Sequence, residues 1–330
     1  MTTAGAVGER RLIELMLRQF TPMPGMPVPY WDDVMAVDLG DGRAVVLNTD
    51  MLVWETDVPR GMTPYQAARK AVVMNFSDLG AKGVQPQAFL PSLAFPRDTE
   101  VEAVEEMAQG FEEGTREYGG YVIGGDTNEA SQIVISGVAI GITPKDKIIK
   151  REGARPGDFL ATTGLFGNTS AAFKILLEGL AAPESLRETL VQAVYNPHAR
   201  IKEGVTLAES GTITSSIDSS DGLAISLHDL ARSSKVGFKI ETLPITPEAE
   251  AFAELHDLDP KNLALYGGEE YELIFTVAKE NLEDAKTALE GVGCQLLKLG
   301  IATADKGIVR VVNGEERPIE MGGWEHFTGA

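Results

Sequence analysis

The spacing of apolar residues predicts alternating helices and strands along this 330-residue chain. Apolar positions recur every three or four residues from 9 to 20, which predicts a short amphipathic helix that a proline-rich turn ends. Two apolar runs at residues 34–39 and 44–48 flank Gly-Asp-Gly at residues 40–42, which predicts a β-hairpin. Both runs lead into acidic residues.

The rest of the first half continues this mixed pattern. Thr63 is a suitable N-cap, and Pro64 suits the first position of a helix rich in small residues. A second helix is predicted over residues 99–117, and strands are predicted over residues 88–95, 121–123 and 133–140. The first half is therefore expected to be an α+β unit.

A basic, turn-rich segment at residues 143–157 marks the expected domain boundary. We accordingly predict domains at residues 1–146 and 147–330. In the second, helical stretches alternate with strands predicted at residues 159–163, 212–217, 238–240, 272–277, 296–299 and 308–312. This alternation predicts an α/β domain.

Composition limits the class of protein. The chain is 43% hydrophobic, which suffices for a sizeable core and two domains. It lacks an apolar run long enough to cross a bilayer, and charged residues at positions 9–11 interrupt any signal-peptide core, so we expect a cytoplasmic protein with no membrane partner. The single cysteine, Cys294, excludes an internal disulfide framework and a thiolate metal site.

The acidic balance restricts the partners further. Acidic residues number 49 against 29 basic ones, which gives a formal net charge of -20. A nucleic-acid backbone would be repelled, and an anionic substrate would need local cations. Most of the excess charge is expected to solvate the surface, as the glutamates of residues 100–113 do.

Isolated aspartates after predicted strands form a different group: Asp32, Asp50, Asp78, Asp126, Asp218 and Asp221. Carboxylates converge on one cleft only when cations lie between them. Magnesium prefers oxygen ligands and uses one or two carboxylates per ion with substrate phosphates. Each aspartate taken alone is more often a cap or turn residue, and Asp221 could cap the helix that follows it.

Other motifs narrow the chemistry. The chain has no Gly-x-x-x-x-Gly-Lys-Ser/Thr loop and no protein-kinase motif set. The four histidines are far apart in sequence, and Ser219 and Ser220 lack a Gly-x-Ser-x-Gly elbow, so zinc-hydrolase and serine-hydrolase chemistry have little support. The loop at residues 164–170 opens a helix and could bind an anion through its amides, or be an ordinary capped turn.

Five motifs together resemble one family. Residues 75–79, 123–127, 217–223, 267–273 and 322–327 read NFSDL, IGGDT, IDSSDGL, GGEEYEL and GGWEHF. They resemble the ATP-binding superfamily of aminoimidazole ribonucleotide synthetase, selenophosphate synthetase and thiamine-monophosphate kinase, and the last two motifs favour the kinases. The resemblance implies the two-domain aminoimidazole ribonucleotide synthetase-like fold, with an N-terminal sheet and helices that form a homodimer and a C-terminal α/β domain.

The implied reaction transfers the γ-phosphoryl group of ATP to thiamine monophosphate, with several magnesium ions as cofactors. Such metal-assisted transfer needs no protein nucleophile, and a phosphate acceptor needs no general base. Two alternatives stay open: an ATP-dependent synthetase of the same superfamily, and a nucleotide-binding protein without turnover.

The resemblance also implies roles for single residues. The implied metal ligands are Asp32, Asn48, Thr49, Asp50, Asp78, Asp126, Asp218 and Asp221. The implied ATP contacts are Gly125, Asp126, Arg151 and Ser220, although Arg151 could equally be an exposed hinge arginine. The implied substrate contacts are Asp57, Glu269 and Trp324, where a carboxylate and an aromatic face suit a cationic thiazolium ring.

Three positions depart from the family pattern. Trp31 stands where a glycine is usual before two aspartates, which is expected to change how the backbone approaches a phosphate. Asn48 replaces a serine or threonine, and Asp57 replaces a histidine that often contacts the substrate.

Overall fold

A computed structural model describes residues 2–327, and its first sheet lies in the N-terminal half. Its strands are β1 (Met35–Asp38), β2 (Arg43–Val53), β3 (Ala88–Phe95), β4 (Tyr121–Val122), β5 (Asp126–Glu129) and β6 (Val134–Pro144). The order across the sheet is β1-β2-β6-β3-β4, and β5 also pairs with β3. β1 and β2 form the predicted hairpin.

Helices cover one face of this sheet. After α1 (Glu9–Leu17), the half contains α2 (Trp54–Asp57), α3 (Pro64–Ala81) and α4 (Val101–Glu117). α3 begins with a full capping box, in which Thr63 and Gln66 each bond the other's backbone amide. Alternate strand residues such as Val46 and Leu52 are buried against the helices with Phe76.

The opposite face of the N-terminal sheet is open and apolar. Val37, Val45 and Ile142 lie side by side on β1, β2 and β6, and Val37 is 42% exposed. Tyr121 and Ile123 extend this face beyond β3 with more than half of their surface exposed. Contiguous exposed apolar surface of this kind is typical of an interaction face.

A second sheet and seven α-helices form the C-terminal half as far as residue 327. The strands are β7 (Phe159–Thr162), β8 (Ile213–Asp218), β9 (Gly237–Ile240), β10 (Leu273–Val277), β11 (Leu297–Thr303), β12 (Ile308–Val312) and β13 (Glu315–Pro318). Their order is β13-β12-β9-β11-β7-β10-β8, and all neighbours are antiparallel except β12 and β9. The helices are α5 (Asn168–Leu176), α6 (Glu184–Tyr195), α7 (Ile201–Ser210), α8 (Leu223–Ser234), α9 (Pro247–Leu255), α10 (Pro260–Tyr266) and α11 (Leu282–Glu290).

The two-sheet architecture confirms the predicted fold class. Strands β3 and β12 have the predicted bounds, whereas β2 continues five residues beyond its prediction because residues 49–53 still pair with β6. The short polar strands β5 and β13 were not predicted, since they lack an apolar pattern. The boundary between residues 146 and 147 stays a prediction.

A helix that crosses a bilayer must be both long and apolar. Within residues 2–327, no helix meets both requirements.

Helix α3 connects the two halves of the molecule. Its Arg69 donates to the Pro197 carbonyl at 2.8 Å, and Lys82, which directly follows its last residue, donates to the Ser216 carbonyl at 2.6 Å. The backbones of α3 and α7 also touch, because a Cβ placed on Gly204 would lie 1.9 Å from the Gly80 oxygen. α3 therefore fixes how the two sheets are arranged around the space between them.

We expect Gly204→Ala to lower the free energy of unfolding by about 1–3 kcal/mol, because the added methyl group forces α3 and α7 apart. Urea denaturation measures this change. Gly307→Ala is the matched control, since a Cβ there meets nothing within 4 Å. Equal stability of the two variants would contradict the close α3–α7 contact.

Candidate functional site

A cleft of about 480 Å³ lies between the two halves. Both halves contribute to its walls, with β2 and α3 on one side and the loops after β8 and α10 on the other. The predicted residues that line it are Asp32, Thr49, Asp50, Asp57, Asp78, Arg151, Ser220, Asp221, Glu269 and Trp324. The structure thus brings most of the sequence-predicted set together.

Three carboxylates converge at the base of the cleft. One oxygen each of Asp33, Asp78 and Asp218 lies within 4.8 Å of the others. Asp33 precedes β1, Asp78 lies on α3 and Asp218 ends β8, so three distant segments meet here. The Ser77 hydroxyl donates to Asp218 at 2.5 Å, and the Asn48 amide donates to Asp78 at 2.7 Å.

This proximity raises the pKa of several carboxyl groups. Burial, with the charges of Asp218 and Asp33, raises the pKa of Asp78 well above its usual value. Burial and nearby carboxylates raise the pKa of Asp218 to about 7, of Asp221 to about 7 and of Asp50 to about 6. A cation bound between these groups would therefore favour their ionised form.

Two protein cations stabilise the turn that carries Asp32 and Asp33. The buried Lys82 ammonium lies 2.8 Å from Asp32 and 2.5 Å from Asp33, and the Arg151 Nε donates to Asp33 at 2.7 Å. Burial acts to raise the pKa of Asp33, but the charges of Arg151 and Lys82 outweigh it and lower the pKa. Arg151 is mostly buried, so it is no exposed hinge residue.

The two aspartates of this turn differ in their surroundings. Asp32 accepts from Lys82 and from the Arg151 backbone amide, whereas Asp33 contributes to the cluster with Asp78 and Asp218. The sequence prediction named Asp32 as the ligand and omitted Asp33.

The donor set fits magnesium. All three clustered groups offer oxygen, and the Asn48 Oδ1 is buried without a hydrogen-bond partner among residues 2–327. Carboxylates outnumber the permanently charged bases that line the cleft, which are Arg151 and Lys174. A polyphosphate could not enter such a cleft without added cations.

Gly125 and Asp126 lie away from the residues that line this cleft within the described part of the chain. Asp126 is exposed on β5. It pairs with Ser92 of β3, which pairs with Ser136 of β6, which in turn pairs with Met51 of β2. Three strand spacings separate Asp126 from Met51, which is about 14 Å. Thr49 does line the cleft, but its side chain points to the open face, where its hydroxyl lies 3.5 Å from that of Ser136.

Trp31 keeps the backbone shape that its usual glycine would favour. Its φ is 69°, in the left-handed region, and its carbonyl accepts from Arg151 at 3.3 Å. The Arg232 guanidinium lies 5.0 Å from the centre of its ring. The expected change in how the backbone approaches a phosphate stays a prediction.

The three predicted substrate contacts all line the cleft. The Asp57 carboxylate accepts a hydrogen bond from the Val53 amide at 2.7 Å. Trp324 is half-exposed, and its backbone amide donates to the Asp221 carbonyl at 2.9 Å. Glu269 bonds buried Lys70 at 2.5 Å. Burial raises the pKa of Glu269, and the charge of Lys70 opposes that rise.

The loop at residues 164–170 binds an anion that belongs to the protein itself. The Gly167 amide donates to the Glu270 carboxylate at 2.6 Å and the Thr169 amide at 3.4 Å. Burial raises the pKa of Glu270 to about 7. Asp221 does not cap α8, because the N-cap is Gly222 and no side chain bonds the first turn.

Sequence reasoning missed Asp33, Lys70 and Lys82. The sequence does mark both lysines as unusual, because Lys70 on α3 and Lys82 directly after it lie among small and apolar residues, where a charge is rare. Their partners, however, come from the turn before β1 and from the loop before β10, which no local pattern connects to α3.

Family models match both halves of the chain. The AIR synthase related protein N-terminal domain matches residues 31–143, and the C-terminal domain of the same family matches residues 155–313.

Individual relatives extend over most of the chain. A thiamine-monophosphate kinase of Pyrococcus horikoshii is 36% identical over 90% of this chain and 91% of its own length. One from Nitrosopumilus maritimus is 35% identical over 86% of this chain and 89% of its own. A solved structure described as AaThiL complexed with AMPPCP and TMP superposes with a TM-score of 0.87 at 28% identity, and covers 99% of both chains.

We expect magnesium to stabilise the protein more as pH rises. Because the folded-state pKa values of Asp218 and Asp221 are raised to about 7, their contribution to stability is full below their unfolded value and is lost as pH rises through about 7. Ionised ligands also bind metal more tightly. The increase in melting temperature on adding Mg²⁺ should therefore grow between about pH 5.5 and about pH 8.

The Asp218→Asn variant is the control for this measurement, since it removes one titrating group with little change in volume. It should reduce the pH dependence of the Mg²⁺ effect. A wild-type protein with the same Mg²⁺ effect across this pH range would contradict the assignment.

Proposed function

Because this chain belongs to the AIR synthase related family, and within it to the thiamine-monophosphate kinases, we propose that it transfers the γ-phosphoryl group of ATP to thiamine monophosphate, giving thiamine diphosphate and ADP. The observation that carries this proposal is the convergence of Asp33, Asp78 and Asp218 in a cleft between two domains. The likeness to a structure described with AMPPCP and TMP supports the same pair of ligands.

The cleft residues would divide the work between metal, nucleotide and acceptor. Magnesium ions, when bound, would neutralise the phosphates and the charge that develops on the transferring oxygens. Asp33, Asp78 and Asp218 would hold them from the base, and Asp50 and Asp221 from the walls. We keep Asn48, Thr49 and Asp126 as proposed further ligands, and assign Asp32 to support of the turn.

Positioning of the two phosphates follows from the same geometry. Ser220 and Arg151 line the cleft beside the carboxylates and would contact ATP, and Gly125 is proposed to contact it from the sheet. Asp57, Glu269 and Trp324, which also line the cleft, would hold the acceptor. The acceptor is already an anionic phosphate, so orientation and charge neutralisation suffice and no general base is required.

We expect thiamine diphosphate to form on incubation with ATP, Mg²⁺ and thiamine monophosphate, and Asp78→Asn to lower kcat on the order of 100-fold. The asparagine removes a charge from the cluster but keeps the side-chain volume, so the fold should persist by circular dichroism. Chromatography of the product measures the rate. The surface variant Asp98→Asn is the control, because Asp98 is an exposed residue before α4.

Failure of the wild-type protein to form thiamine diphosphate would reject the kinase proposal. Tight ATP binding by calorimetry without that product would then favour a synthetase of the same superfamily or a binding protein.

We also propose that the active form is a homodimer joined through the open face of the N-terminal sheet, and that it works in the cytoplasm. Val37, Leu47, Ile140 and Ile142 share that face, and burial of such a surface against a second copy is favourable. Asp126 lies on the same face, which places this predicted ATP contact at the proposed interface.

We expect sedimentation velocity at micromolar concentration to give a dimer, and Ile142→Glu to shift it towards monomer, because a buried unpaired carboxylate is costly at an interface. Val101→Glu is the matched control, since Val101 is 67% exposed on α4, outside the strands of that face. A wild-type monomer would reject the dimer.

A further inference from the structure

Lys70 is a fully buried lysine that contacts two of the residues proposed to hold the acceptor. Its Nζ lies 2.5 Å from the Glu269 Oε1 and 2.8 Å from the Asp57 carbonyl oxygen. Its side chain is 0% exposed, whereas that of Glu269 is 21% exposed. One ammonium group therefore joins two segments, from opposite halves of the chain, that both line the cleft.

The loop that carries Glu269 is held in an unusual conformation. Glu269 has φ of 64° and Tyr271 has φ of 54°, both in the left-handed region that non-glycine residues rarely adopt. The Glu269 amide donates to the Ser220 carbonyl at 2.6 Å, and the Tyr271 amide donates to the Ser219 carbonyl at 3.1 Å. Such conformations persist where the surroundings fix them, and they are concentrated at ligand sites.

The two oxygens of Glu269 differ in their surroundings. Oε1 is bound to Lys70, whereas Oε2 is buried and has no hydrogen-bond partner among residues 2–327. A buried acceptor without a donor is costly, and the cost is removed when a ligand supplies the donor. Because Lys70 neutralises the carboxylate, the pair suits a directional hydrogen bond better than a diffuse cation.

We propose that Lys70 is a positioning residue, which fixes Glu269 so that Oε2 accepts a hydrogen bond from an N–H group of the acceptor. The inference rests on the proposed function. In thiamine monophosphate the thiazolium ring has no N–H donor, whereas the pyrimidine ring carries an amino group. The amino group is thus the partner of Oε2, and the aromatic face of Trp324, which lines the same cleft, is left for the thiazolium ring.

Steady-state kinetics of Lys70→Met test this assignment. The change removes the ammonium but keeps a long apolar stem, so Glu269 loses its fixed orientation. We expect KM for thiamine monophosphate to rise about tenfold or more, with KM for ATP within about twofold. Arg69→Met is the matched control: Arg69 is the preceding residue, is also buried, and bonds Glu117 and Pro197 instead of the cleft wall.

A double-mutant cycle separates positioning from general destabilisation. If Lys70 acts through Glu269, then Lys70→Met should add little to the KM effect of Glu269→Gln. Independent, additive losses would overturn the assignment, as would a Lys70→Met variant with unchanged KM.

A substrate comparison on the wild-type protein needs no variant to fold. Oxythiamine monophosphate carries a carbonyl in place of the pyrimidine amino group. Its kcat/KM should be lower than that of thiamine monophosphate by about tenfold or more. Equal efficiency would overturn the assignment of the amino group while the kinase proposal stands. Absence of turnover with thiamine monophosphate itself would instead reject the proposed function.

Discussion

Repulsion between buried carboxylates is the constraint on which the cleft depends. Asp33, Asp78 and Asp218 come from three segments and are brought within 4.8 Å of one another, an arrangement that costs free energy unless cations offset it. The protein supplies part of that charge itself through Lys82 and Arg151, which bind the turn before β1. The remaining charge deficit is the reason why we propose that the cleft binds divalent cations and, through them, phosphates.

Helix α3 is the element that satisfies this constraint. It carries one carboxylate of the cluster, Asp78, and the hydroxyl of Ser77 that bonds Asp218 on the other sheet. The same helix carries Lys70, and Lys82 directly follows its last residue. A single rigid helix therefore sets the distance between the proposed metal-binding and acceptor-binding parts, which in-line transfer requires to be fixed.

Two of the residues with left-handed backbone conformations lie in the same region. Trp31 and Glu269 both adopt left-handed conformations beside the residues that line the cleft. Trp31 adopts this conformation without being a glycine, and its contacts with Arg151 and Arg232 help to hold it. Such strain costs free energy that the surrounding contacts must offset.

The sequence by itself determined the elements and the class of chemistry. Apolar periodicity and the cap at Thr63 depend on near neighbours in the chain, so they predicted α3, β3 and β12 well. Residue types and the five motifs likewise pointed to oxygen ligands and to ATP, and most of the named residues line one cleft.

Only the tertiary structure decided which groups meet. Asp33 rather than Asp32 lies in the cluster, and Asp126 lies on the open sheet face. The amides of the loop before α5 bind the carboxylate of Glu270. Lys70 pairs with Glu269, 199 positions away in the chain. The reason is physical: a side chain's partner is set by the packing of distant segments, and the pattern of residues along one segment carries no information about that distance.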